Sequence, residues 1–251
     1  MRKPDTAMLA GESYCLHTFF SSSSCQRIRI AAHLKSIPLT MLYLDLRDDT
    51  TKHLNNDSSR SAATLIVTHS DGTSTAIRQP VDILDYFEER FPDTCPLLPP
   101  ACQPRARALV RDYISTVAVD VEQQHQQQQQ QQHLLPAAGG HPVSHRASVT
   151  GHGFEEQHHR ANVVLGRALA AYQQLLESTR GPDAAKTCLY TVGDAITLAD
   201  VCLVPAVEQA VAYGVDMAGL QHVARIYNHL KKLPAFTDFD WRKHATASRR
   251  L

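Results

Sequence analysis

The chain has 251 residues, of which 43% are hydrophobic, and it carries 25 basic and 25 acidic residues. A formal net charge of zero gives no electrostatic reason to expect nucleic acid or an anionic membrane surface as a partner. The six cysteines are scattered, and no stretch approaches the roughly 20 apolar residues that a membrane span needs. We therefore expect a cytoplasmic protein with reduced thiols, no membrane association and a core that is large enough for one or two domains.

The first 92 residues alternate between strand and helix patterns. The turn pair Asp71-Gly72 and the helix-opening Pro80 mark two of the boundaries. The predicted elements are a strand over 14–20, a helix over 26–35, a strand over 38–46, a loop over 47–61, a hairpin over 64–77 and a helix over 81–91. Residues 1–12 are predicted to be a flexible tail. This order predicts a small mixed sheet with flanking helices.

Beyond this region the patterns are all helical. Residues 91–104 contain five prolines in 14 residues, a composition typical of a linker. We predict a domain over 13–92, a proline-rich linker over 93–104 and an all-helical domain over 105–251. The predicted helices cover 105–122, 160–178, 198–213 and 220–232. Thr197 and Asp200, three residues apart before an apolar run, predict a capping box at the start of the third of these helices.

The helical region is interrupted over residues 123–153, which are dominated by glutamine, glycine, proline and histidine. Such a segment buries too little apolar surface to offset the entropy lost on ordering, so we predict a disordered insertion. Its histidines could bind metal ions only weakly. The pair His158-His159 is a poor chelate, because adjacent helical positions point to different sides. We therefore predict no metal site.

A run of hydroxyls and a thiol, Ser22, Ser23, Ser24 and Cys25, stands at a predicted strand-to-helix turn. One interpretation is an N-cap, a position that favours serine. The other is a site where the hydroxyls and the helix N-terminus meet an anionic ligand, and such a terminus also lowers the pKa of a nearby thiol. The residues alone leave both interpretations open.

Three stretches resemble one family. They are LHTFFSSSSCQRIRIAAHLKSIPL from Leu16, VDILDYFEERFPDTCPLLP from Val81 and YTVGDAITLADVCLVPAVEQA from Tyr190. Together they resemble the zeta-class glutathione transferases, which include maleylacetoacetate isomerase. The resemblance covers nearly the whole chain apart from the tail and the predicted insertion. The family motif Ser-Ser-Cys, two residues, Arg-Val-Arg-Ile-Ala falls on residues 22–31.

The resemblance implies an α/β thioredoxin-like N-terminal domain and an all-α C-terminal domain, the glutathione transferase architecture, normally as a homodimer. It implies glutathione as the cofactor, with the first motif serine, Ser22, orienting the thiolate. The implied catalytic positions are Ser22, Ser23, Ser24 and Cys25. The implied cofactor-binding positions are Ser22, Ala62, Gln79 and Pro80. The third motif position is Ser24 instead of cysteine, so the thiol lies one residue further on, at Cys25.

Three departures from the family pattern concern ligand contacts. The family's Val-cis-Pro before the third strand is Ala62-Ala63 here, and a cis bond before a residue other than proline costs about 2.5–4 kcal/mol. The family's Gln-Ser at the next helix is Gln79-Pro80, which lacks both a hydroxyl and an N–H donor. Ala212 replaces an arginine that is expected to hold a substrate carboxylate. These losses argue against maleylacetoacetate itself as the substrate.

The predicted function is glutathione-dependent cis–trans isomerisation of a conjugated carbonyl compound, a bulky, hydrophobic enone such as an intermediate of a specialised-metabolite pathway. One alternative is a glutathione transferase that leaves glutathione attached to an electrophile. Another is a non-catalytic descendant on the same scaffold, which Ala63 and Pro80 favour.

Overall fold

The structure, a computed structural model, describes residues 11–18, 22–43, 63–118, 152–181 and 187–239. A four-stranded mixed sheet and two helices form the first part. Its elements are β1 (Ser13–Thr18), α1 (Ser23–Leu34), β2 (Leu39–Tyr43), β3 (Ala63–Thr68), β4 (Ser74–Ile77) and α2 (Pro80–Arg90). The strand order is β2-β1-β3-β4, with β2 parallel and β3 antiparallel to β1. This is the thioredoxin-like sheet that the resemblance implied.

The alternation of side chains places one face of the sheet in the core. Along β1 the buried residues are Tyr14, Leu16 and Thr18, and β3 buries every second residue from Ala63. The α1 helix packs against α2, and α2 contacts β3. The hairpin between β3 and β4 turns at Asp71-Gly72 as predicted: the Asp71 carboxylate accepts the Thr73 N–H at 2.8 Å, and Gly72 has a φ of 81°.

The second part is helical, as predicted. Its helices are α3 (Pro104–Val117), α4 (His152–Arg180), α5 (Leu198–Ala212), α6 (Gln221–Leu230) and the short α7 (Pro234–Thr237). The α5 helix is the centre of this part, because it is apolar around its circumference and packs against α1, α3, α4 and α6. None of the helices that the structure describes is both long enough and apolar enough to cross a lipid bilayer.

Several predicted boundaries were wrong. The first helix begins at Ser23 instead of residue 26, because Ser22 is its cap. The α3 helix ends at Val117 instead of residue 122, and the Arg27 side chain binds the Val117 carbonyl. The α4 helix begins at His152, eight residues before the predicted start. The predicted domain limits and the predicted disorder remain predictions, since residues 119–151 lie outside the described part of the chain.

Candidate active site

The N-terminus of α1 follows closely on the carboxyl end of β1. Ser22 has extended backbone angles (φ −74°, ψ 122°), and its hydroxyl accepts the Cys25 backbone N–H at 3.3 Å. The Ser22 carbonyl accepts the first intrahelical bond, from Gln26, at 3.0 Å. The N-cap interpretation is therefore confirmed. It does not exclude the second interpretation, since a hydroxyl that accepts one bond can still donate its own proton to a ligand.

The serine run lies inside the protein. Ser22, Ser23 and Ser24 are 2%, 6% and 3% exposed, and the Cys25 side chain is fully enclosed in the hydrophobic core. The residues that separate Thr18 from Ser22 lie outside the described part of the chain. Because Cys25 belongs to the core, a ligand cannot reach its sulfur unless the surrounding elements move. Its catalytic role, like that of the three serines, remains a prediction.

Two arginines of α1 lie buried beneath this turn. Arg29 donates to the Thr18 hydroxyl at 2.8 Å, and burial lowers the pKa of its guanidinium. Arg27 donates to the carbonyl of Val117 at 2.6 Å. Both positions belong to the family motif, but no site role was predicted for either arginine. In the sequence, the two arginines alternate with isoleucines in a stretch whose other residues are typical of a buried core.

The sheet register places the other predicted site segments at the same end of the molecule. Thr18, the last residue of β1, pairs with Ala63, the first residue of β3. Ile77, the last residue of β4, pairs with Leu65 close to that end. The start of β3 and the end of β4 therefore lie towards the carboxyl end of β1, and α1 and α2 are the helices that follow β1 and β4 in the chain. Ala62 itself lies outside the described residues, so its proposed backbone contact remains a prediction.

Gln79 and Pro80 form the start of α2. Gln79 is the N-cap residue but makes no side-chain capping bond, and Pro80 occupies the first helical turn as predicted. Proline has neither an N–H nor a hydroxyl to donate, so this terminus offers two donors fewer to an anion than it would with a serine. The structure thus places both residues at the N-terminus of α2, and their contact with glutathione remains a prediction.

Ala212 is the last residue of α5 and is exposed to solvent. One helical turn earlier, the Glu208 carboxylate accepts the Gln26 side-chain amide of α1 at 2.7 Å. Beyond Ala212, a groove of about 520 Å³ is lined by the side chains or backbone of Glu155, His158, His159, Asn162, Tyr213 and Gly214. None of these lining residues is a lysine or an arginine. Among the described residues, no group of three or more His, Cys, Asp or Glu side chains could hold a metal ion.

Sequence comparison gives the family. The chain is 31% identical over 233 residues to the maleylacetoacetate isomerase of Emericella nidulans, covering 90% of this chain and 91% of that protein. It is 34% identical to a probable glutathione S-transferase of Coccidioides immitis, covering 91% and 93% of the two chains. The chain belongs to the maleylacetoacetate isomerase family of zeta-class glutathione transferases. No protein-family model matches it.

Solved structures agree with this assignment at the level of the fold. A maleylacetoacetate isomerase from Anaeromyxobacter dehalogenans, crystallised with dicarboxyethyl glutathione and citrate in its active site, superposes with a TM-score of 0.69 at 22% identity over 93% of both chains. A maleylpyruvate isomerase described as a bacterial zeta-class glutathione S-transferase gives 0.66 at 24% identity, over 90% of this chain and 96% of the other. The zeta-class member described here therefore has the glutathione transferase fold.

Proposed function

We propose that this protein is a glutathione-dependent cis–trans isomerase of a conjugated carbonyl compound. The observation that carries the proposal is the hydroxyl-capped N-terminus of α1, the helix that follows β1 in the chain. It occurs in a chain that is 31% identical to a maleylacetoacetate isomerase over 90% of its length. A helix N-terminus with a hydroxyl donor fits the charge of a thiolate.

The residues of the chain supply binding and electrostatic stabilisation. Glutathione, when bound, supplies a thiolate that adds to a conjugated double bond and is expelled after rotation about the resulting single bond. Ser22 would donate its hydroxyl proton in a hydrogen bond to the sulfur. The N–H groups of the first turn of α1 lack intrahelical acceptors, and they favour negative charge in their vicinity. Donors that are fixed before the reaction can also stabilise the charge that develops on the carbonyl oxygen.

The proposed substrate is bulky and carries no carboxylate near the helical domain. Ala212 cannot pair with an anion, and the groove beyond it is lined by imidazole, phenol, amide and carboxylate groups without a lysine or an arginine. A dicarboxylate would lose charge-assisted hydrogen bonds in this environment. A hydrophobic enone of a specialised-metabolite pathway fits better than maleylacetoacetate.

A conjugating transferase is the second candidate, because the relative from Coccidioides immitis bears that name at 34% identity. Both reactions need the same thiolate and differ in whether it is expelled. A non-catalytic role is the third candidate, and it is favoured by the donors missing at Pro80. We also infer a homodimer in the cytoplasm, as the resemblance implies. Light scattering on the purified protein tests the dimer.

The experiment that separates these candidates starts with a calorimetric titration of the purified protein with reduced glutathione. Saturable binding in the micromolar to low millimolar range supports the two enzymatic candidates, and no heat up to many millimolar removes both. Incubation with matched cis and trans enones, followed by chromatography, then distinguishes isomer exchange from a glutathione adduct. An adduct without isomer exchange would refute the isomerase proposal in favour of conjugation.

Replacement of the hydroxyls should reduce turnover. We expect Ser22→Ala to lower kcat/KM by roughly 100-fold, the effect of removing one preorganised donor. It should also cost about 1 kcal/mol of stability through the lost cap. Ser22→Gly is the matched control, because glycine at the cap position costs only about a few tenths of a kcal/mol and has no side-chain donor. We expect Ser22→Gly to keep a nearly unchanged thermal midpoint and still lose activity, and Ser23→Ala to lose activity to a smaller extent. Full activity in Ser22→Gly and Ser23→Ala would leave the serine run with a capping role alone.

Restoring the family donor at α2 should strengthen glutathione binding. Pro80→Ser supplies a backbone N–H and a hydroxyl at the first helical turn, and a hydrogen bond to a charged group is worth roughly 1.5–3 kcal/mol. We expect the dissociation constant for glutathione to fall about tenfold or more, as measured by calorimetry. Pro104→Ser is the control, since Gln103-Pro104 opens α3 in the same way. Equal affinities in all three proteins would show that α2 does not contact glutathione.

A further inference from the structure

Arg27 is a buried cation without an acidic partner. Only 3% of the residue is exposed. In the described part of the chain its guanidinium makes one hydrogen bond, from Nη2 to the Val117 carbonyl at 2.6 Å, and its Nε is buried without an acceptor. No carboxylate lies within ion-pair distance of it among those residues. An unpaired buried charge is strongly unfavourable, so its presence calls for a function or a compensating ligand.

Neighbouring buried charges are treated differently. Lys35, at the other end of α1, pairs with Glu88 at 2.8 Å. The Glu208 carboxylate on α5 accepts hydrogen bonds from both the Gln26 amide and the Lys231 amine. Lys35 and Glu208 therefore have counter-charges among the described residues, whereas Arg27, one helical turn from the serine run, has none there.

Arg27 lies one helical turn after Ser23. Helical side chains lean towards the N-terminus, so the Arg27 side chain leaves α1 over the turn that contains Ser23 and Ser24, and its Nη2 reaches the Val117 carbonyl. Its hydrogen-bond acceptor, Val117, is the last residue of α3. The charge also reaches a thiol on α5: burial raises the pKa of the Cys202 thiol, and Arg27 acts in the opposite direction.

We propose that Arg27 is a positioning residue whose unbalanced positive charge prepares the N-terminus of α1 to hold the sulfur of bound glutathione as an anion. This inference rests on the proposed function. The charge adds to that of the helix terminus, and burial keeps it from being screened by water. The ionisable groups within two residues of it on α1 are Cys25 and Arg29. On α5, the Arg27 charge acts on the Cys202 thiol, and the Glu208 carboxylate is already held by Gln26 and Lys231.

A purely structural role is the competing explanation. A cation at the end of α3 favourably interacts with the last carbonyls of that helix, and Arg27 could serve only to join α3 to α1. The two roles differ in one measurable quantity. A structural link changes stability, whereas a charge near the sulfur changes the pKa of the bound thiol.

The test measures the ultraviolet absorbance of the glutathione thiolate bound to the full-length protein as a function of pH. Arg27→Gln keeps a donor for Val117 and removes the charge, and we expect the pKa of the bound thiol to rise by about one unit or more. Arg27→Lys keeps the charge and should stay near the wild-type value. Gln26→Met is the control, because it removes a neutral buried contact between the neighbouring residue of α1 and Glu208 of α5; it should lower the thermal midpoint and leave the titration unchanged.

The outcomes separate this inference from the proposed function. Absence of glutathione binding to the wild-type protein defeats the proposed function. Binding to the wild type with an unchanged titration in Arg27→Gln overturns only the role of Arg27. If Arg27→Gln does not fold, the same titration of the wild-type complex still tests the inference. A bound glutathione thiol with the same pKa as free glutathione would overturn it.

Discussion

Asp200→Ala is expected to lower the free energy of unfolding by roughly 4 kcal/mol. The Asp200 carboxylate is completely buried and accepts three hydrogen bonds, from the Thr197 N–H at 2.8 Å, the Thr197 hydroxyl at 3.0 Å and the Thr191 N–H at 2.8 Å. Each buried donor that loses its acceptor costs about 1–3 kcal/mol. Burial raises the pKa of Asp200, and these hydrogen bonds oppose that shift.

The loss at Asp200 would affect more than the helix start. The Thr191 hydroxyl also lies 2.7 Å from the Tyr172 hydroxyl, within hydrogen-bond distance. The Arg180 side chain donates to the backbone carbonyls of Tyr190, Thr191 and Gly193. Asp200 therefore joins the first turn of α5 to a segment that α4 also holds in place. Its removal should loosen both connections together.

Chemical denaturation and calorimetry measure this effect. We expect a midpoint lower by roughly 10 °C in a chain of this size. Asp194→Ala removes an exposed carboxylate from the same segment and should change the unfolding free energy by less than about 0.5 kcal/mol. If the two variants were equally stable, the hydrogen bonds of Asp200 would contribute nothing beyond a surface charge.

Lys231→Met is expected to destabilise the protein by about 3–5 kcal/mol. The Glu208 side chain is 0% exposed and lies 2.5 Å from the Lys231 amine, and its other oxygen accepts the Gln26 amide. Without Lys231, the buried Glu208 carboxylate keeps only the neutral Gln26 amide as a partner. Removing one member of a buried ion pair typically destabilises a protein by about 3–5 kcal/mol. Because Gln26 lies one turn after Ser22, the start of α1 should also become less well fixed.

A second variant and a control sharpen the test. Glu208→Leu combined with Lys231→Met removes both charges and should recover much of the loss, because no unpaired ion remains. Lys232→Met, at an exposed position beside Lys231, is the control. A deficit equal to that of the control would mean that Lys231 contributes only surface charge.

For function, the consequence is that the site at α1 depends on contacts from the helical part. Gln26 and Arg27 each bridge to that part, through Glu208 and Val117. Substitutions far along the chain should therefore change the behaviour of the serine turn without touching a ligand. For this reason, the thermal midpoint of each serine variant should be measured together with its kinetic constants.

The sequence was sufficient where the determining forces are local. The Ser22 cap, the turn at Asp71-Gly72, the helix start at Pro80 and the pairing of Thr197 with Asp200 each depend on residues within four positions. Strand and helix periods in turn reflect which side chains face the core. The family motifs then gave the architecture and placed the candidate site.

Tertiary contacts decided what such patterns do not encode. The polar start of α4 has no apolar period to predict it, yet the helix extends to His152, and Asn162 holds it against the Tyr213 carbonyl at 2.9 Å. The bond between Gln26 and Glu208 joins residues 182 positions apart. The contacts of α1 with Val117 and with α5 accompany the burial of Arg27, which meets no counter-charge among the described residues. The sequence by itself determined the elements and the family, whereas the folded chain decided which charges are buried and what each one meets, because desolvation and pairing depend on distance in space.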